Sequence, residues 1–203
     1  MQYDASGVPL ARAGKVIYLM GPSGAGKDSL MNAAREQLLA GHVRIPRRVI
    51  TRSAEAAGED AITVSLEQFE QMSDRGEFAL EWRANGLAYG IPSYIDTWVA
   101  EGWHVLVNGS RAHLATAQAK YPDLLPILLC VDPQVLRARL VGRGREGQEE
   151  IEQRIARNRQ FVTQVDGQLL RVDNSTSLDD AVDRLLAVLQ GAGLVAVVSG
   201  GAG

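Results

Sequence analysis

The chain has 203 residues, 46% apolar and 22% charged, enough for one domain with its own core. Its 21 Lys and Arg against 24 Asp and Glu leave a net charge of −3, which provides no general basic field for nucleic acid. No stretch reaches the ~20 apolar residues of a membrane span, and residues 1–15 lack an apolar h-region, so a soluble, cytoplasmic protein is expected.

Val16-Ile17-Tyr18-Leu19-Met20 is a continuous apolar run, the pattern of a strand buried on both faces. It leads into Gly21-Pro22-Ser23-Gly24-Ala25-Gly26-Lys27 and then a helical pattern, apolar or small at Leu30, Ala34, Leu38 and Leu39, that ends before Gly41. Val43 to Ser53 carries four arginines among Val and Ile with Pro46 interrupting, which reads as a short strand and loop at a sheet edge. Ser65-Leu66-Glu67-Gln68 is a capping-box pattern opening a helix that Gly76 closes. Phe78–Trp82 and Leu87–Tyr89 flank Asn85-Gly86, which predicts a hairpin with a type I′ turn. Pro92-Ser93 opens a helix running to Gly102. Val105-Leu106-Val107 is a second buried strand and Leu124 to Val131 a third, with the lone Cys130 read as a reduced core residue. Asp132-Pro133 supplies an N-cap and a first-turn proline for a helix ending around Gly142 to Gly147, and another helix follows. Leu169 to Val172 is a short strand, Leu178 to Leu189 a final amphipathic helix, and the glycine-rich tail 191–203 is expected to be flexible. Strands alternating with helices predict an α/β fold around a parallel sheet, with residues 43–92 as a small inserted lobe.

Gly21 to Lys27 matches G-x-x-x-x-G-K between a buried strand and a helix, the context that makes the pattern a phosphate loop. Glycines let backbone N–H groups turn inward around phosphates, the helix start adds the positive end of its dipole, and Lys27 aims a cation at the β- and γ-phosphates. Where the pattern expects a Mg²⁺-binding hydroxyl the chain has Asp28, followed by Ser29. A carboxylate also suits Mg²⁺, and strand 105–107 ends in Asn108 where an aspartate would ordinarily support the metal. Asp28 and Ser29 are therefore candidate metal residues, although Asp28 reads equally well as an ordinary first-turn helix charge. From Arg137 to Arg159 seven arginines face four glutamates, broken by Gly142, Gly144 and Gly147. Arginine-bearing helices joined through glycines have the form of a lid that brings cations onto a transferring phosphoryl group. Part of this segment is a solvated face, since Glu150 and Arg154 are i,i+4 neighbours. His42, His104 and His113 are not read as catalytic, and Trp82, Trp98 and Trp103 are read as packing residues.

With these residues placed, the chain resembles the guanylate kinase branch of the P-loop nucleoside monophosphate kinases from about residue 15 to 190. Gly21-Pro22-Ser23-Gly24 is similar to that family's phosphate-loop opening, and Thr51-Arg52 to its acceptor-phosphate element. Leu80-Glu81-Trp82 and Tyr89-Gly90 resemble its L-E-W and Y-Y-G signatures, and Arg139-Leu140 with Arg143-Gly144 its R-L-x-x-R-G lid. Arg154 matches the arginine of the next helix, and Asn174 the adenine-side asparagine. The resemblance implies a three-layer fold with a lid at about 139–150, and ATP with Mg²⁺ held by Gly21, Pro22, Ser23, Gly24, Ala25, Gly26, Lys27, Asp28, Ser29 and Asn174. It implies catalysis by Lys27, Arg139, Arg143 and Arg154, with Arg52, Glu81 and Tyr89 on the acceptor.

Glu55 stands where guanylate kinases carry a second acceptor arginine, Ile91 where they carry a GMP-binding hydroxyl, and Leu106 and Asn108 where aspartates read guanine. A guanine pocket discriminates through such polar groups, so their loss argues against GMP. These departures, with Gly21 to Ser29, Val105 to Leu114, Thr51-Arg52 and Trp82-x-Ala84-Asn85-Gly86-Leu87-x-Tyr89-Gly90, look like the ribose 1,5-bisphosphate phosphokinases of bacterial phosphonate breakdown. That likeness implies γ-phosphoryl transfer from ATP to the 1-phosphate of ribose 1,5-bisphosphate, giving 5-phosphoribosyl 1-diphosphate (PRPP) and ADP. Asn108, Ser110 and Arg111, just past a strand's C-terminal end, would then serve the acceptor. A divergent guanylate kinase and a non-catalytic guanylate kinase-like binding module stay open as alternatives, as does the oligomeric state.

Overall fold

The computed structural model describes residues 13–51, 60–144, 147–163 and 169–196. Its strands are β1 (Val16–Met20), β2 (Val43–Arg44), β3 (Arg48–Ile50), β4 (Ala61–Thr63), β5 (Phe78–Ala84), β6 (Leu87–Pro92), β7 (His104–Asn108), β8 (Leu125–Cys130) and β9 (Leu170–Asp173). The helices are α1 (Lys27–Ala33), α2 (Arg35–Ala40), α3 (Leu66–Asp74), α4 (Tyr94–Ala100), α5 (Leu114–Lys120), α6 (Pro133–Arg143), α7 (Gln148–Thr163) and α8 (Leu178–Gly191). Strands order as β2-β7-β1-β8-β9 in a five-stranded sheet and as β4-β3-β6-β5 in a four-stranded one. In the larger sheet β2 pairs with β7, and β8 with β9, in parallel, which agrees with the α/β expectation. Every residue of β1 is buried, as its unbroken apolar run requires. Among the described residues, no helix is long and apolar enough to cross a membrane.

The chain divides into two compact units, one of Met1–Ile17, His42–Val107 and His113–Leu125, the other of Tyr18–Gly41, Asn108–Ala112 and Pro126–Gly203. In the first, β5 and β6 form the expected hairpin, with positive φ at Asn85 (52°) and Gly86 (74°) as a type I′ turn demands. Helix α3 begins with a complete capping box between Ser65 and Gln68, and its Phe69 packs on Val49 and Ala88. In the second unit α1 packs on α8, and α6 on α7 through Leu136, Leu140, Ile151 and Ile155. Asp132 caps α6 by accepting from the N–H groups of Gln134 and Val135, as predicted.

Several boundaries differ from the sequence reading. The helix expected between Lys27 and Gly41 is two, α1 and α2 meeting at Ala34, whose ψ of −3° departs from the regular helical value. The small sheet begins at Arg48 rather than 43, since Val43–Arg44 pairs with β7 instead. Strand β4 was not anticipated; its three residues lack a buried apolar one. Cys130 is a free thiol only half buried, because it ends β8, and burial still raises its pKa. The tail starts inside α8, and Leu194 and Val195 are buried rather than loose, Val195 lying against Gly41. Its last residues, 197–203, lie outside the described residues.

Candidate active site

The loop from Gly21 to Gly26 leaves the C-terminal end of β1 and delivers Lys27 as the first residue of α1. Gly26 has a φ of 88°, and a Cβ there would lie 2.7 Å from the Asn174 Nδ2, so only glycine fits. Lys27 Nζ donates to the carbonyls of Gly21 (2.9 Å) and Pro22 (3.2 Å), which folds the lysine back over its own loop. Asn174, 2% exposed, supports the loop by donating from Nδ2 to the Ala25 carbonyl at 2.7 Å. Its Oδ1 is buried without a hydrogen-bond partner among the described residues. The asparagine expected on the adenine side is therefore committed, through its amide nitrogen, to holding the phosphate loop.

One arginine of α6 and one of α7 reach this loop. Arg154 Nη1 lies 3.4 Å from Ser23 Oγ, and the Arg139 Nη1 lies 3.9 Å from where a Cβ on Gly26 would be. Arg137 instead pairs with Glu152 at 2.7 Å, bracing α6 against α7. Arg143 closes α6, ahead of Gly144 in the left-handed region; its side chain lies outside what is described. Leu136 and Leu140 also approach Gly24, at 3.1 and 3.0 Å from a would-be Cβ, so α6 is packed onto the loop.

Asp28 and Asn108, singled out separately by the sequence, are in contact: Asn108 Nδ2 donates to Asp28 Oδ1 at 2.7 Å. Beyond Asn108 the chain turns through Gly109, where a Cβ would fall 2.1 Å from the Tyr18 Cζ. The Tyr18 hydroxyl donates to the Ser110 carbonyl (2.9 Å) and accepts from the Ser110 N–H (3.0 Å). Burial pushes the Tyr18 phenol up to about 12. In the sequence Tyr18 is one apolar residue of a strand, and the Gly109 that its ring requires is the one local signal of this lock. Ser110 and Arg111 follow at the strand's end, Arg111 opening a single 3₁₀ turn.

The remaining acceptor candidates lie in the other unit. Arg52 is outside the described residues, but its neighbour Thr51 is tied to β6, accepting at Oγ1 from the Ala88 N–H at 2.8 Å. Glu81 faces Gly90 and Trp82 faces Tyr89 across the hairpin, and successive residues of a strand point to opposite faces. Glu81 thus lies on the α3 side, where it accepts from Ser73 Oγ at 3.0 Å, whereas Tyr89 stacks on Trp82 at 5.4 Å on the other. His113 also meets the Trp82 ring, 5.8 Å away, and burial lowers its pKa against the opposing pull of Glu81. Arg48 lies 5.5 Å from the Tyr89 ring centre. Ile91 and Leu106, at positions where a guanine reader would need polar groups, are buried.

The guanylate kinase family model matches residues 13–192. Ribose 1,5-bisphosphate phosphokinase PhnN of Pseudomonas paraeruginosa is 60% identical over 178 residues, covering 88% of this chain and 96% of that protein. The enzyme of the same name from Azotobacter vinelandii is 57% identical, with 87% and 96% covered. Among solved structures, guanylate kinase from Anaplasma phagocytophilum matches with a TM-score of 0.68 and 18% identity, covering 90% of this chain and 88% of that one, which shows a shared fold. The chain belongs to the guanylate kinase family and, within it, to the ribose 1,5-bisphosphate phosphokinases.

Proposed function

We propose that the chain transfers the γ-phosphoryl group of ATP to the 1-phosphate of ribose 1,5-bisphosphate, forming PRPP and ADP. The observation that carries this reading is the gathering of Lys27, Arg139 and Arg154 around the Gly21–Gly26 loop, in a chain whose relatives bear that name. An oxygen of the acceptor's 1-phosphate attacks the γ-phosphorus, and the bond from that phosphorus to the bridging oxygen breaks. The electron pair leaves on ADP. The acceptor oxygen is already largely ionised near neutral pH, so no general base is required. Lys27 and the arginines, with Arg143 as the fourth cation, stabilise charge that spreads over the equatorial oxygens during transfer.

The oxygen-rich start of α1 fits a hard cation, because Asp28 presents a carboxylate beside the phosphate loop and Asn108 holds it in place. Asp28 and Ser29 would hold Mg²⁺ with the nucleotide, and the bound ion supplies charge neutralisation at the β- and γ-phosphates. For the acceptor we propose Arg52, Glu81, Tyr89, Asn108, Ser110 and Arg111. Glu81 is the weakest member of the proposed set, because its carboxylate is engaged by Ser73.

Turnover with ribose 1,5-bisphosphate and with GMP, reading PRPP and ADP directly, tests the assignment. Formation of PRPP at a rate well above GMP phosphorylation is expected. GMP as the better acceptor would replace this function with that of a guanylate kinase, and failure to bind ATP would leave a binding module.

A further inference from the structure

Asp28 is the second residue of α1, and the Asn108 amide that donates to it comes from the last residue of β7, 80 positions away. Asn108 is 6% exposed, and a buried amide needs a partner. The pair is complementary only as it stands. A hydroxyl at position 28 would fall short of the amide. An acid at position 108 would set two carboxylates against each other.

We propose that Asn108 is a positioning residue for Asp28, and that the two together transpose the charge that faces the nucleotide's metal. The carboxylate sits on the phosphate-loop helix, and the strand end stays neutral beside an acceptor that carries two phosphates. The proposal rests on the kinase reading and concerns how the donor nucleotide is held, so it is tested without the acceptor.

ADP affinity with and without Mg²⁺, by titration calorimetry, and Mn²⁺ occupancy of the ADP complex, by electron paramagnetic resonance, are the readouts. They are compared for the wild type, Asp28→Asn, Asp28→Ser, Asn108→Ala, Asn108→Asp and the double variant Asp28→Ser/Asn108→Asp. Asn108→Ala is expected to lower Mn²⁺ affinity by about 10–100-fold, the usual effect of removing a partner that orients a metal-binding carboxylate. Asp28→Asn, which keeps the shape and drops the charge, is expected to lose most of the metal's contribution with little change in melting temperature. The double variant is expected to recover at least about fivefold over the product of its two single losses. Losses that simply multiply, or melting temperatures that fall while the ratio of affinities with and without metal stays fixed, would overturn the proposal. Coupled losses in a chain that makes no PRPP would overturn only the acceptor assignment. A chain that binds no ADP would remove the kinase reading and this proposal with it.

Discussion

Tyr18 is fully buried in β1, and its neutral phenol is the form that can both donate to and accept from the Ser110 backbone. Its folded pKa, pushed up by burial from 10.0 to about 12, lies above the unfolded value. The stability this provides is complete below pH 10 and is lost as pH rises towards about 12. The urea midpoint of the wild type should therefore fall more steeply across that window than that of Tyr18→Phe. At neutral pH the same variant should be less stable by about 1–3 kcal/mol, because the Ser110 N–H and carbonyl lose their partner. Equal pH profiles would show that the phenol does not titrate as its burial requires. Lys27 is a contrasting residue: its ammonium donates to the loop carbonyls of Gly21 and Pro22, and it is not among the buried apolar residues of the core. Lys27→Ala should keep the wild-type circular dichroism spectrum and lose about 10²-fold or more in kcat. A near-normal rate would end the phosphate-loop assignment.

The α6–α7 hairpin bears arginines that look alike in sequence and differ in what they touch. Arg154 approaches the phosphate loop at Ser23, whereas Arg137 forms a half-exposed pair with Glu152. Arg154→Ala should cut kcat by about 10²-fold or more with little change in melting temperature, since it removes a cation from the reacting phosphates. Arg137→Ala should leave kcat alone and cost at most about 1 kcal/mol, the range of exposed ion pairs. Similar kinetic effects from the two would mean that the hairpin acts as a diffuse positive field. The elements most legible in the sequence were those set by neighbours along the chain. Ser65 and Gln68 formed their reciprocal cap, Asn85-Gly86 turned the hairpin, and Asp132-Pro133 started α6 where expected. Strand β4 escaped because Ala61–Thr63 is too short and too exposed to carry a period.

Across the whole molecule, the fold class and the phosphate loop were legible, while the contacts that shape the site were not. Asp28 and Asn108 stood out as separate oddities, yet their hydrogen bond spans 80 positions. Ser110 and Tyr18 are 92 apart and Arg154 and Ser23 131 apart, so no local pattern records those meetings. Glu81 and Tyr89 were grouped by motif, and only the hairpin register separates them onto opposite faces. The longest of these links, between Ala25 and Asn174, spans 149 positions. A ribosome working at about 5–20 residues per second needs roughly 7–30 s to make the asparagine after the loop it supports. Throughout that interval the glycine-rich loop is outside its finished setting, whatever the fate of the strand before it. Nascent chains arrested before residue 174 should fail to be retained on immobilised ATP, and chains released at full length should bind. Synthesis rate and the chaperones that attend it thus bear on this enzyme most directly through its nucleotide site, whose first piece is made early and whose support comes near the end.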